Sequence, residues 1–361
     1  MIGCNPPIWV KAPSGQYPVY IGFDLLKQSY ILRSYINSKQ VFILSNEEVA
    51  AHYYAFLKEA CVKAGARQID YLLLQAGEQY KTLESVESVW TALQDAEHSR
   101  ESTVITLGGG CINDMGGFSA ACYMRGIPVI HFPTTLLAQV DAAIGGKTGV
   151  NYGQRKNSIG VFYQPSAVIA DLGTLKTLLP REFCQGLAEL IKYGIALDAA
   201  LFLWLETNIE ALIHQDRAAL NYAVTRACEI KKDVVEKDEK ENGYRRVLNF
   251  GHTVAHALES LLVYKLPHGE AVAIGMIVAT KLSLLQGSID KTVLERLILL
   301  LNRAKLPTTL PQKITDAEIW SKIKQDKKHK FNQMRWVLLN GLGCFRVSED
   351  IEPFSITAML T

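Results

Sequence analysis

Four polar residues, Arg245, Asn249, His252 and His256, recur at intervals of four, three and four within the stretch RRVLNFGHTVAHALESLLVYKLPHGE. Read as a helix, that stretch places all four on one stripe. Pro267-His268-Gly269-Glu270 follows and opens another apolar run. An arginine, an asparagine and two histidines on one side of an otherwise hydrophobic helix make a poor core face. They make a good lining for a polar, metal-bearing cleft, so the chain reads as an enzyme with its chemistry centred here.

Catalytic zinc takes imidazole nitrogens and carboxylate oxygens, three from the protein, and keeps one position open. The candidate ligands are His252, His256, His268 and Glu189, the last in the helical segment GLAELIKY. His252 and His256 stand at i and i+4, a spacing that lets two imidazoles share one ion, as in HExxH. The plainer alternative makes one of them a hydrogen-bonded core histidine. Glu189 sits on an apolar helix three residues before Lys192. A buried carboxylate there needs a partner, either Lys192 or a metal; the alternative is a Glu–Lys pair on a helix surface.

A second chemical theme lies upstream. Gly108-Gly109-Gly110 follows a strand-like run and precedes a helical one, the context of a turn that cradles phosphate at a helix N-terminus. The GxGxxG fingerprint fails, because Asn113 stands where the last glycine would be. A purely structural turn therefore remains an alternative for the triple glycine alone. Glu78 and Lys81 lie three apart at another strand-to-helix junction, and Asp141, the pair Gly145-Gly146, Lys147, Lys156 and Asn157 follow in close order. Together these groups point to a nucleotide and a second anion.

The elements that must position these residues divide by periodicity. Up to about residue 179, short apolar runs alternate with amphipathic stretches: Tyr17–Ile21, Val41–Leu44, Ile69–Leu74, Val104–Leu107, Val129–Phe132 and Ala167–Ala170 read as strands, with helices beginning near Asn46, Lys81 and the triple glycine. Continuous apolar strands separated by helices imply a parallel sheet covered on both faces. From Pro180 onward, helical periods take over: Arg181–Tyr193, Ala199–Ile213, Leu220–Lys237, Leu248–Val263 and Glu270–Leu285, with a late β pair at Arg335–Leu339 and Cys344–Val347. Two domains are expected, 1–179 and 180–361. No internal repeat stands out.

The composition is that of an ordinary soluble globular protein, 48% hydrophobic and 20% charged over 361 residues. A net charge of +2 gives no reason to expect nucleic acid. Seven scattered cysteines without a CxxC pair fit reduced thiols. No signal peptide is evident, and no apolar run approaches the roughly 18 residues needed to span a membrane. The expectation is a cytoplasmic protein with no membrane partner.

The segments GEQYKTLE, GGGCINDMGGF, YMRG, PTTLLAQVDAAIGGKTGVN, KNSIGVFYQP, PREFCQGLAELIKYG, DEKENGYRRVLNFGHTVAHALE and HGEAVAIGM closely resemble the 3-dehydroquinate synthase family. They run in family order from about residue 77 to 276, and Asp326-Lys327-Lys328 resembles a late DKK element. The resemblance implies an α/β N-terminal domain with a mostly parallel, Rossmann-like sheet that binds NAD. A mainly α-helical C-terminal domain would bind metal and substrate. It implies a homodimer of the shikimate pathway that needs NAD and one divalent metal, Zn²⁺ or Co²⁺. Its reaction turns 3-deoxy-D-arabino-heptulosonate 7-phosphate into 3-dehydroquinate and phosphate by transient oxidation, β-elimination, re-reduction, ring opening and aldol closure.

By the same resemblance the metal ligands are Glu189, His252 and His268, which leaves His256 for acid/base work. NAD contacts fall on Glu78 and Lys81, on Gly109, Gly110 and Asp114, on Thr134 and Thr135, on Asp141, Lys147 and Lys156, and on Thr174, Leu175 and Thr177. Substrate contacts fall on Arg125, Lys147, Asn157, Lys192, Lys231, Glu241, Arg245, Asn249 and His256, joined by Lys327 or Lys328. Arg125 is expected to reach the neighbouring site across the dimer. Catalytic roles go to His256, Lys192, Lys147, Asp141, Arg245 and Asn249.

Departures from the family pattern are modest. Asn113 stands where many members have glycine and suits a left-handed backbone best among non-glycine residues, should one be needed. Ala76 and Ala255 replace a frequent Asp and Gly. The alternatives are another sugar-phosphate cyclase of the 2-deoxy-scyllo-inosose or valiolone type, a metal-dependent polyol dehydrogenase, and a non-catalytic protein that keeps the fold.

Overall fold

A computed structural model describes residues 6–153, 155–263, 265–327, 335–349, 351 and 353–360. The chain divides into two compact units, 1–179 with Lys231–Lys240, and Pro180–Ile230 with Glu241–Thr361.

In the first unit, β1 (Ile8–Ala12), β2 (Gly15–Gly22), α1 (Ser29–Ile36), β3 (Gln40–Asn46), α2 (Glu47–Ala64), β4 (Gln68–Leu74) and α3 (Leu83–Asp95) come first. They are followed by β5 (Thr103–Gly108), α4 (Gly110–Cys122), β6 (Val129–Pro133), β7 (Lys147–Tyr152), β8 (Arg155–Phe162) and β9 (Ala167–Asp171). Seven strands form one sheet in the order β1-β2-β9-β6-β5-β3-β4. Only the β1–β2 pair is antiparallel.

The continuous apolar strands are explained by burial on both faces. Val41 and Ile43 of β3 pack with Ile105, Leu107, Ile130 and Phe132 beneath α1 and α2. Their alternates Phe42 and Leu44 pack with Val104 and Val129 beneath α3 and α4, as a period of two demands. Helix α2 starts where the Asn46 side chain accepts from the Val49 amide at 2.9 Å, with Glu47 and Glu48 in its positive first turn. It stops at Gly65, whose φ of 94° ends the helical register.

Outside this sheet, β7 and β8 form an antiparallel hairpin. The sequence reading did not delineate it. Gly149 and Gly160 face each other in it so tightly that a Cβ on Gly160 would lie 2.0 Å from the Thr148 carbonyl oxygen.

The second unit contains α5 (Pro180–Leu197), α6 (Ala199–Ile213), most of α7 (Arg217–Lys237), α8 (His252–Leu261), α9 (His268–Leu285), α10 (Lys291–Arg303) and α11 (Asp316–Lys327). The hairpin β10 (Arg335–Leu339) and β11 (Phe345–Glu349) completes it. Helix α9 is long and apolar enough, by length and composition, to cross a membrane, contrary to the sequence reading. It is instead 72% buried inside the protein, as a core helix is.

Arg245 through His256 is not one helix: a 3-10 turn covers Tyr244–Asn249, Gly251 adopts φ 80°, and α8 begins at His252. The cause lies in packing. A Cβ on Gly251 would stand 2.8 Å from the Met276 nitrogen, so the chain turns there against the backbone of α9.

Candidate functional site

The first unit gathers its polar residues at the carboxyl ends of the parallel strands. The chain leaves β3 toward β4 on one side and runs from β5 through β6 to β9 on the other. This makes the end of β5, where the glycine turn lies, adjacent to the point at which the strand order reverses. Gly109 caps α4 without any side-chain bond, so the first amides of a 13-residue helix face outward. A Cβ on Gly109 would meet Thr135 Cγ2 at 3.0 Å, and one on Gly110 would meet Ala142 Cβ at 3.3 Å. Beside this turn the Thr134 hydroxyl is buried with no hydrogen-bond partner among the described residues. A cradle lined by glycine, with open helix amides and an orphaned hydroxyl, fits a nucleotide phosphate.

Glu78, Lys81, Asp114 and Asn157 meet in one cluster. Lys81, 2% exposed, bonds both the Asp114 carboxylate and the Asn157 side chain. Burial alone would strip its charge, but Asp114 and Glu78 outweigh burial and raise its pKa. Burial raises the Glu78 carboxyl, yet the Lys81 and Lys156 charges and bonds from Asn151 and Cys111 bring it below its ordinary value. Asn151 Nδ2 donates to Glu78 Oε1 at 2.9 Å, and its Oδ1 accepts from the Asn157 amide at 2.8 Å. Cys111 Sγ donates to Glu78 Oε2 at 3.0 Å. Sequence reasoning missed Asn151 and Cys111, although both lie inside motifs it quoted.

Asp141 sits in a π-turn, Ala138–Ala142, and pairs with Lys231. Lys147 is exposed at the start of β7, Lys156 stands on β8, and Arg125 is exposed on a 3-10 turn. Thr174, Leu175 and Thr177 share the turn after β9, where the Tyr53 hydroxyl bonds both the Thr174 carbonyl and Thr177 Oγ1. Asn113 is helical, not left-handed. Its Oδ1 accepts from Thr106 Oγ1 at 2.8 Å, and its Nδ2 is buried with no partner among the described residues.

The second unit brings Glu189, His252 and His268 together, their ligand atoms all within 4.8 Å of one another. Glu189 Oε1 lies 3.8 Å from His252 Nε2 and 3.5 Å from His268 Nε2. Ligands about 2.05 Å from a tetrahedral zinc are separated by about 3.3 Å, so a small contraction would complete the set. One carboxylate with two imidazoles suits zinc or cobalt. His256, one turn along α8, sets its ring edge-on to His252 at 5.4 Å and is exposed. The i, i+4 pairing of His252 and His256 as ligands is thus not the grouping seen.

Glu189 is 0% and Lys192 1% exposed, and they pair with each other, so the helix-surface alternative is excluded. Burial, with Lys192 and the neighbouring imidazoles, holds His252 neutral, well below its ordinary pKa. Burial would do the same to His268, but Glu259 and Glu189 push it up to about 10. Arg245 is wholly buried, and Asn249 Nδ2 donates to Glu241 Oε1. Lys327 closes α11, and Lys328 lies outside the described residues.

Backbone geometry singles out three of these residues. Arg125, Asn157 and Glu241 have φ of 67°, 51° and 60°, among ten non-glycine residues with positive φ in the described chain. Each costs of order 1 kcal/mol or more unless its surroundings hold it.

A family model described as 3-dehydroquinate synthase N-terminal matches residues 71–185, and one described as 3-dehydroquinate synthase C-terminal matches 186–329. A 3-dehydroquinate synthase of Shewanella sp. (strain MR-4) is 44% identical over 93% of this chain and 93% of its own. Among solved structures, a 2-epi-5-epi-valiolone synthase from Streptomyces hygroscopicus subsp. jinggangensis 5008, with NAD⁺ and Zn²⁺ bound, is similar at TM-score 0.89 and 28% identity, with 95% of each chain covered. A 2-deoxy-scyllo-inosose synthase complexed with carbaglucose-6-phosphate, NAD⁺ and Co²⁺ is similar at TM-score 0.87 and 25% identity, covering 95% of this chain and 96% of that one.

Proposed function

The chain belongs to the 3-dehydroquinate synthase family, and on that premise we propose that it converts 3-deoxy-D-arabino-heptulosonate 7-phosphate to 3-dehydroquinate and phosphate. This is a step of the shikimate pathway toward aromatic amino acids, run as a phosphate-eliminating lyase by a cytoplasmic homodimer. The observation that carries the reading is the donor set Glu189, His252 and His268, the first two of them buried, in a chain that also holds an open glycine cradle beside Glu78, Lys81 and Asp114. The first unit is assigned the nucleotide and the second the metal and most substrate contacts.

When bound, NAD⁺ takes up and returns a hydride while a divalent ion, zinc or cobalt, polarises oxygens at the reacting carbon. The chain's own residues have different work. Lys192, Arg245 and Asn249 hold the substrate's carboxylate and hydroxyls, with Lys327 or Lys328 assisting. Lys147, Asn157, Lys231 and the partner copy's equivalent of Arg125 hold its phosphate end. Fixing both ends makes the final ring closure effectively unimolecular. The substrate phosphate serves as base for the elimination, and the exposed His256 assists in moving protons. Left-handed backbone at Arg125, Asn157 and Glu241 supports this assignment, because such strain persists where function needs a particular geometry.

The test is phosphate release from the heptulosonate phosphate with catalytic NAD⁺, before and after chelation. Release that chelation stops and zinc or cobalt restores is the expected result. Sustained NADH without phosphate would instead indicate a polyol dehydrogenase. Turnover only of a sugar phosphate lacking the carboxylate would indicate another cyclase.

A further inference from the structure

The two candidate ligand histidines are oriented by different acceptors. His252 directs Nδ1 at the Phe250 carbonyl, 3.1 Å away, which leaves Nε2 toward Glu189. His268 directs Nδ1 at Glu259 Oε1, 3.3 Å away, and again leaves Nε2 toward Glu189. A neutral carbonyl steadies one ring and a carboxylate the other.

Glu259 lies seven residues after His252 on α8, two turns along the same face. It is 2% exposed on an otherwise apolar stretch beside Ala257 and Leu258. A carboxylate is an unfavourable residue to bury unless its charge is used. Helix α8 thus supplies one ligand at its first residue, and two turns later the acceptor for the other ligand's far nitrogen.

We propose that Glu259 is a positioning residue for the metal. It holds His268 as the Nδ1–H tautomer, aims Nε2 at the ion and, through its charge, makes that nitrogen a stronger donor. The inference rests on the metal reading of Glu189, His252 and His268, and adds a residue that never touches the ion.

The experiment compares the parent with Glu259→Gln, which keeps the shape and removes the charge. Zinc affinity is measured by competition with a chromogenic chelator, and thermal unfolding is followed on metal-stripped protein. The expected result is zinc binding about 10- to 100-fold weaker in the variant, with the stripped proteins melting within about 2 °C of each other. Equal zinc affinities overturn the proposal. So does a variant that melts much lower when stripped yet binds zinc as the parent does, since that is a structural ion pair. A parent that binds no zinc sinks the metal reading itself. Should Glu259→Gln not fold, ¹⁵N-histidine spectra of the zinc-loaded parent decide. Coordination of His268 through Nε2 with a proton on Nδ1 supports the proposal, and coordination through Nδ1 refutes it.

Discussion

Gly275 backs onto Gly251 so closely that a Cβ on Gly275 would lie 2.0 Å from the Gly251 carbonyl oxygen. This contact sets α9 against the residue that ends the Arg245–Asn249 turn and starts α8. The substitution Gly275→Ala should destabilise the second unit by about 3 kcal/mol or more, because neither backbone can retreat without moving its helix. Denaturant midpoints together with zinc affinity measure both consequences. An alanine variant as stable as the parent would show that the contact is not required.

His252→Ala should abolish stoichiometric zinc binding, whereas His256→Ala should retain the metal and slow turnover by about 100-fold or more. Metal analysis after gel filtration, paired with the phosphate-release assay, separates the two. If the His256 variant also lost its metal, the ligand set would have to be redrawn.

Gly109→Val should raise the Kd for NAD⁺ by about tenfold or more and cost about 1 kcal/mol of stability, since its φ of −75° is open to any residue but the added methyls crowd Thr135. Fluorescence titration with the dinucleotide measures it. Unchanged affinity would return the triple glycine to a structural turn.

Burial pushes the pKa of His131 down to about 4. Because Thr106 Oγ1 donates to Asn113, the imidazole must present Nδ1–H to that oxygen at 2.8 Å. Unfolded, the ring takes its proton near its ordinary value of 6.5. Between those values the unfolded state binds more protons, so stability falls as pH drops through the window, by up to about 3 kcal/mol. Urea unfolding at neutral pH and near pH 5 should show a shallower decline in His131→Asn. Identical declines would refute the assignment.

Arg125→Ala and His252→Ala subunits, each inactive alone, should recover about a quarter of the parent activity when mixed and reassociated at random, because one site of each mixed dimer is whole. No recovery would put Arg125 in its own subunit's site.

The parts of the fold that were legible in the sequence are those whose residues answer to local burial. Strands β3, β5, β6 and β9 are apolar on both faces and read as continuous runs, and Asn46 announced the start of α2. The hairpin β7–β8 was not legible: β8 is almost wholly exposed and carries Lys156, Asn157 and Gly160 in place of an alternating pattern. The break at Gly251 was hidden for the opposite reason, since Arg245, Asn249, His252 and His256 keep helical spacing across it. Only the distant Gly275 reveals the turn. Spacing likewise offered His256 as a partner for His252, while folding brings up His268 and Glu189 from other helices. Glu259 gave no signal at all until His268 stood beside it.

Lys231–Lys240 belongs with the first unit although it is encoded some fifty residues beyond the rest of that unit. Within it, Lys231 pairs with Asp141, and Glu239 accepts from the Ser14 amide and from Gln164 Nε2. A fragment ending at Leu179 would therefore lack the partners of all three residues. During synthesis, the amino-terminal unit cannot be finished when its last strand emerges from the ribosome. It must wait for Lys231 and Glu239 until α5, α6 and the first part of α7 have been made.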